Sequence, residues 1–142
     1  MKLSIFRIWI ALLSLVGSLH APFPPANVTI TSFTAEADMD SVTVEWETAN
    51  ELNNLGFHLW RSVEPAGSYI DISGFIPSLD EGAGAFYEYE DTNVMPGITY
   101  YYRLQDIPDD GSIGVFIGPI SATIPLTTTY IFLPAVYRGL LP

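Results

Sequence analysis

The run Ser41–Thr48 sets Val42, Val44 and Trp46 in alternation with Thr43, Glu45 and Glu47. Side chains leave a strand on opposite faces with a period of two, so this run reads as a half-buried strand, apolar on one side. The indole of Trp46 is the tightest constraint in the chain. One sheet face cannot take so large a ring out of water, so a second layer has to cover it. Thr48–Gly56, rich in asparagine and ending in glycine, reads as a polar loop. Gly56–Ser62 then returns as a strand in which Phe57 and Leu59 alternate with His58 and Trp60. A β-sandwich follows, with Trp46, Phe57 and Leu59 in its core.

The other segments supply the remaining strands. Asn27–Ala37 is the first; Val28 and Ile30 share a face, and the phase shifts near Ser32 to bring in Phe33 and Ala35. Asp38-Met39-Asp40 turns into the tryptophan strand. Glu64-Pro65-Ala66-Gly67 is a second turn, and Ser68–Ile76 a short strand with Ile70 and Ile72 on one face. Residues 77–85 read as loop. Phe86–Asp91 sets Tyr87 and Tyr89 against Glu88 and Glu90. After the turn Met95-Pro96-Gly97, Ile98–Ile107 points Tyr100, Tyr102 and Leu104 one way and Tyr101, Arg103 and Gln105 the other. Pro108-Asp109-Asp110-Gly111 reads as an Asp-Gly hairpin turn, and Ser112–Pro125 closes the set, with Pro119 marking an edge or bulge. Seven short strands without an amphipathic helix or a long repeat predict an all-β sandwich.

A chain of 142 residues suits one domain. It has no cysteine, which excludes a disulfide framework, thiol catalysis and cysteine metal sites. Lys2 and Arg7 precede an uncharged apolar run, Ile8–Leu19, of about a dozen residues, where a spanning helix needs about 20. Residues 1–21 therefore read as a secretory signal peptide, the rival being an uncleaved anchor helix. Cleavage after Ser18 is compatible with that reading; cleavage after Ala21 would leave Pro22 at the new terminus. Membrane contact is expected only through this leader. Without it, Arg61, Arg103 and Arg138 stand against 16 acidic residues, a balance of −13. Such a surface repels nucleic acid and anionic lipid. Residues 22–27 form a Pro-rich linker, 28–125 the sandwich, and 126–142 a Thr linker with an apolar tail. Asn27-Val28-Thr29 is formally a glycosylation acceptor, relevant only on a eukaryotic secretory path.

Trp46, the turn Pro96-Gly97 and the series Tyr100, Tyr102, Leu104 resemble the fibronectin type III pattern. That resemblance implies an immunoglobulin-like sandwich of seven strands, with Trp46 the core indole. Tyr100 would be the corner tyrosine whose hydroxyl meets nearby backbone. The run from Trp46 through Glu51, Asn53, Asn54, Gly56, Phe57, Leu59 and Arg61, with Tyr100–Leu104 and Asp110-Gly111, is similar to fibronectin-III-like domains near the C-termini of secreted bacterial proteins. A secreted, cell-surface location is what this implies. Leu133, Pro134, Val136 and Arg138 resemble short Leu-Pro-x-Val-x-Arg tails of such proteins. Physically, Tyr130, Ile131, Phe132, Leu133, Val136 and Tyr137 make an apolar, β-prone segment too short to cross a bilayer as a helix. Left free it would aggregate, so it is expected on its own sheet edge, on a neighbouring subunit's edge, or in a sorting machine.

Catalytic residues are not expected. His58 is the one histidine beyond the leader and its flank, on an exposed strand face, with no nucleophile motif beside it. The pairs Glu45/Glu47 and Glu88/Glu90 occupy outward positions, where acids are the ordinary solvated face. Asp106, Asp109 and Asp110 are weak calcium candidates, as are Asp38 and Asp40. None has the spacing of a calcium loop, and turn chemistry explains them. No cofactor is expected. Glu51, Asn53 and Asn54 form a candidate loop site, their alternative role being to satisfy the loop's own backbone. Trp60 and Tyr101, with His58, form a candidate aromatic platform for a glycan, against cross-strand packing or cover from the tail. The function expected is protein–protein contact, with self-assembly through the tail as its sharper form. A carbohydrate-binding module and a cargo whose tail is a secretion or anchoring tag are the alternatives.

Overall fold

A computed structural model describes residues 27–79 and 82–126. The signal peptide, most of the linker and the tail residues Tyr130, Ile131, Phe132, Leu133, Val136 and Tyr137 lie outside the described residues. The described chain is all β. Its strands are β1 (Asn27–Ala37), β2 (Val42–Leu52), β3 (Asn54–Ser62), β4 (Ile70–Asp71), β5 (Ile76–Pro77), β6 (Phe86–Asp91), β7 (Thr99–Pro108) and β8 (Phe116–Thr123). One antiparallel sheet has the order β1-β2-β6. The facing sheet runs β4-β3-β7-β8, with β5 also paired to β3. The seven expected strands are all present, and β5 is a two-residue addition.

The core lies where the two inner faces meet. Val42, Val44 and Trp46 of β2, Phe57 and Leu59 of β3, and Tyr102 and Leu104 of β7 have no exposed surface, and Tyr87 and Tyr100 are almost as deep. Trp46 stacks on Tyr87 with ring centres 5.0 Å apart, and Phe57 meets both rings edge-on. Trp46 is thus covered from the opposite sheet, as its size requires. The Tyr100 hydroxyl accepts the Met95 N–H at 3.0 Å, which pins the turn into β7. Gly97 follows Pro96 there with φ of 80°, a conformation that favours glycine.

Four expectations need correction. Thr48–Gly56 is not an open loop: β2 continues to Leu52, and the reversal into β3 is made by Asn53 alone, with φ of 57°. Asparagine tolerates that left-handed conformation, so the chain turns sharply without a longer loop. The strand expected over Ser68–Ile76 shrinks to Ile70–Asp71, because the Asp71 carboxylate accepts the Ser73 and Gly74 N–H groups and bends the chain away. The loop expected over 77–85 starts one residue late, since Pro77 belongs to β5. Asp110-Gly111 does not close a two-residue hairpin. Seven residues separate β7 from β8, because the Asp106 carboxylate takes the Val115 N–H and the Asp109 N–H reaches the Asn53 carbonyl. The phase shift in β1 is real: its register with β2 breaks on either side of Ile30.

Candidate functional site

β3 and β7 place alternate residues on the outer face of their sheet, and this face carries the aromatic side chains. His58 lies opposite Gln105 and Trp60 opposite Arg103; Phe116 of β8 lies opposite Gln105. Ring contacts run Phe75–His58 at 6.1 Å, His58–Trp60 at 6.5 Å and Trp60–Phe116 at 5.8 Å. The indole N–H of Trp60 donates to Gln105 Oε1 at 3.1 Å, so Trp60 is fixed in orientation. The Arg103 guanidinium lies 4.2 Å above the Tyr69 ring. Phe75, Val115 and Phe116 are about half exposed or more, and Ile113 is almost wholly exposed. Tyr101 shares the face, one step diagonally from Trp60, yet among the described residues no ring contact joins the two. The ring contacts of Trp60 are with His58 and Phe116. The sequence hid this because Phe75 and Phe116 come from distant segments.

The outer face of the other sheet is acidic. Glu36, Glu45, Glu47, Glu88 and Glu90 occupy it, and Glu45 lies directly opposite Glu88. Like charges so placed oppose one another. Among the described residues no group of three or more histidine and carboxylate side chains is placed to hold a metal ion. Asp106 points inward to the Val115 N–H and Asp110 accepts the Ser112 N–H at 2.8 Å, so these carboxylates serve their own loop.

Glu51 is fully buried. Its carboxylate accepts the Thr48 hydroxyl at 2.7 Å, the Tyr87 hydroxyl at 2.7 and 2.8 Å, and the Ser78 hydroxyl. Burial pushes its pKa up, but these donors more than offset that and hold it below the ordinary carboxylate range. Burial, followed by the Glu51 bond, raises the Tyr87 pKa. Asn54 is buried too, its Oδ1 accepting the Ile107 N–H at 3.1 Å. Glu51 and Asn54 therefore knit the turn to the sandwich. With Asn53 as the pivot, the three brace the fold, and a small cleft of about 90 Å³ opens beside Asn53 and Asn54.

Arg61 and Asp91 form a second buried knot that the sequence reading missed. Arg61 Nη1 donates to both Asp91 oxygens at 2.7 Å and to the Asn93 carbonyl at 2.8 Å. Tyr102 donates to Asp91 at 2.9 Å, and the Arg61 guanidinium lies 5.0 Å from the Tyr100 ring centre. Burial first, and Asp91 second, raise the Tyr102 pKa. The signal was present: Arg61 continues the inward parity of Phe57 and Leu59, and Asp91 that of Tyr87 and Tyr89. Beside the knot a cleft of about 310 Å³ opens between β4 and β6. His58 Nδ1 meets Asp71 Oδ2 at 2.6 Å, but no serine or threonine hydroxyl among the described residues bonds His58, so a base with its orienter stands without a nucleophile.

The order β1-β2-β6 over β4-β3-β7-β8, with a core tryptophan on β2 and a corner tyrosine on β7, defines a fibronectin type III-like β-sandwich. One solved structure with which the chain aligns is described as a Fn3-like protein from Clostridium thermocellum. It is 19% identical, covers 75% of this chain and 98% of that one, and has a TM-score of 0.47. The fold assignment stands on the strand order, not on that likeness. No protein-family model and no curated protein matches the chain.

Proposed function

We propose that this chain is a secreted, non-catalytic module of the bacterial cell surface that acts by protein–protein contact. The observation that carries the reading is the aromatic row Phe75–His58–Trp60–Phe116 on the outer face of the larger sheet, flanked by Arg103 and Tyr69. Aromatic residues and arginine are the types enriched at protein contacts and at their energetic centres. Trp60 is held in place by Gln105, so little side-chain freedom would be lost on binding.

The test is retention of purified protein on isolated cell envelopes. Trp60→Ala combined with Phe116→Ala should release the protein while its thermal unfolding stays cooperative. Protease treatment of the envelopes should abolish retention and glycan digestion should not. The reverse pattern would replace this reading with the carbohydrate-binding one. In its sharper form the module self-assembles, with Tyr130–Tyr137 as the contacting segment. Light scattering of the chain lacking residues 127–142 should then give monomers; assemblies that persist unchanged would refute that form.

A further inference from the structure

We infer that the acceptor for the tail Tyr130–Tyr137 is the free edge of β6 on a second copy of the chain, which rests on the self-assembling reading just given. Among the described residues the sandwich has few edges, and the others are blunted. β8 carries Pro119, which has no N–H to donate, and its register with β7 breaks between Tyr102 and Leu104. β1 breaks register twice around Ile30. β4 and β5 are each two residues long. Bulges, proline and shortness are the ordinary means by which edges refuse another strand. β6 is different: all six of its residues pair with β2 in unbroken register, and among the described residues it ends its sheet. Beside it lies the mostly polar cleft of about 310 Å³, where Ile70, Ile72 and Tyr89 stand among Arg61, Asp71 and Glu90.

Charge selects the tail over other strands. All 16 acidic residues lie between Glu36 and Asp110. In that stretch the two cations are engaged, Arg61 with Asp91 and Arg103 with Tyr69. Two β6 edges brought together would set Glu88 and Glu90 against their counterparts, so β6 cannot pair with itself. The tail carries no acidic residue and has Arg138. A strand of that composition escapes the repulsion, and Pro134 fits an added edge strand where its missing N–H faces away from β6.

Reach favours a second copy. The Ile124 N–H bonds the Ile98 carbonyl, the Gly97 N–H bonds the Ile124 carbonyl, and Leu126 lies against Gly97, so the chain leaves the sandwich beside the start of β7. From Leu126 to Tyr130 the chain spans about 13–14 Å fully extended. The route to the chain's own β6 edge crosses roughly 10 Å between packed sheets, steps sideways by about 4.8 Å and rounds the turn at 92–98, which uses up that span. A neighbour imposes no such limit. The contact is head-to-tail, so it propagates instead of closing on a pair.

The absence of cysteine makes the test clean. Glu88→Cys or Glu90→Cys in one preparation is mixed with Phe132→Cys or Leu133→Cys in another and oxidised. Thr34→Cys on β1 and Ser121→Cys on β8 serve as edge controls. A dominant interchain disulfide between the tail and β6 is the expected result. Dominant linkage to β1 or β8 overturns the choice of edge. Intrachain linkage when Glu90→Cys and Leu133→Cys share one chain, leaving monomers, overturns the second copy. Assembly that survives removal of residues 127–142 refutes the underlying reading instead, so the two failures are told apart.

Discussion

Replacing Arg61 by methionine keeps the apolar stem in place and deletes the charge. The Arg61 and Asp91 side chains are only 10% and 4% exposed, so solvent cannot take over the lost contacts. Asp91 would keep the Tyr102 hydroxyl at 2.9 Å and the Asn93 N–H at 3.2 Å, and lose two short charge-assisted bonds from Arg61. Breaking one partner out of a buried pair costs ~3–5 kcal/mol, because an uncompensated charge stays behind. Against a total of ~5–15 kcal/mol that is a large share. In urea, with a slope of ~2 kcal/mol per M, the midpoint should fall by ~1.5–2.5 M. Arg61→Met combined with Asp91→Asn leaves no charge and should recover much of the loss. A single variant costing under ~1 kcal/mol, with the double no better, would show that Asp91 is not held as a buried charge.

Glu51 makes stability depend on pH. Its folded pKa lies below the ordinary 4.5, so its contribution is fully present above that value and is lost as pH falls through the folded pKa. Denaturation at a series of pH values should show that acid loss in the wild type and a smaller one in Glu51→Gln. Trp46→Ala should cost ~3–5 kcal/mol in the same assay, since it empties the space between Phe57 and Tyr87. Gly97→Ala should destabilise by ~1 kcal/mol or more, because φ there is 80° and the added methyl would sit 2.7 Å from the Leu126 side chain. Thermal unfolding with the Tm unchanged would contradict that.

Period-two alternation made β2, β6 and β7 legible, because each buries one face and shows the other to water. The same parity held Arg61 and Asp91, yet charge at an inward position reads as an exception until its partner is seen, and Glu51 is buried out of phase with Val42, Val44, Trp46 and Thr48. Those partners lie 30 residues away for Arg61 and Asp91, and 36 for Glu51 and Tyr87. The β2–β3 turn was misread for a related reason: polar composition suits a loop, but here the Glu51 carboxylate and the Asn54 Oδ1 take their hydrogen bonds within the sandwich. Nor could the aromatic row be read locally. Its four rings come from two strands and a loop, and only the register sets them side by side.

The separation of acid and aromatic residues onto opposite sheets gives the particle two unlike sides. Around the glutamate side mobile counterions gather, and at physiological salt the repulsion reaches about 8 Å. Two copies drifting together would therefore glance off when their acidic sides meet. The aromatic side lacks that cushion. Crowded on a surface, such particles should orient before they touch, acidic sides turned out to the medium, and raising the salt should blur that preference.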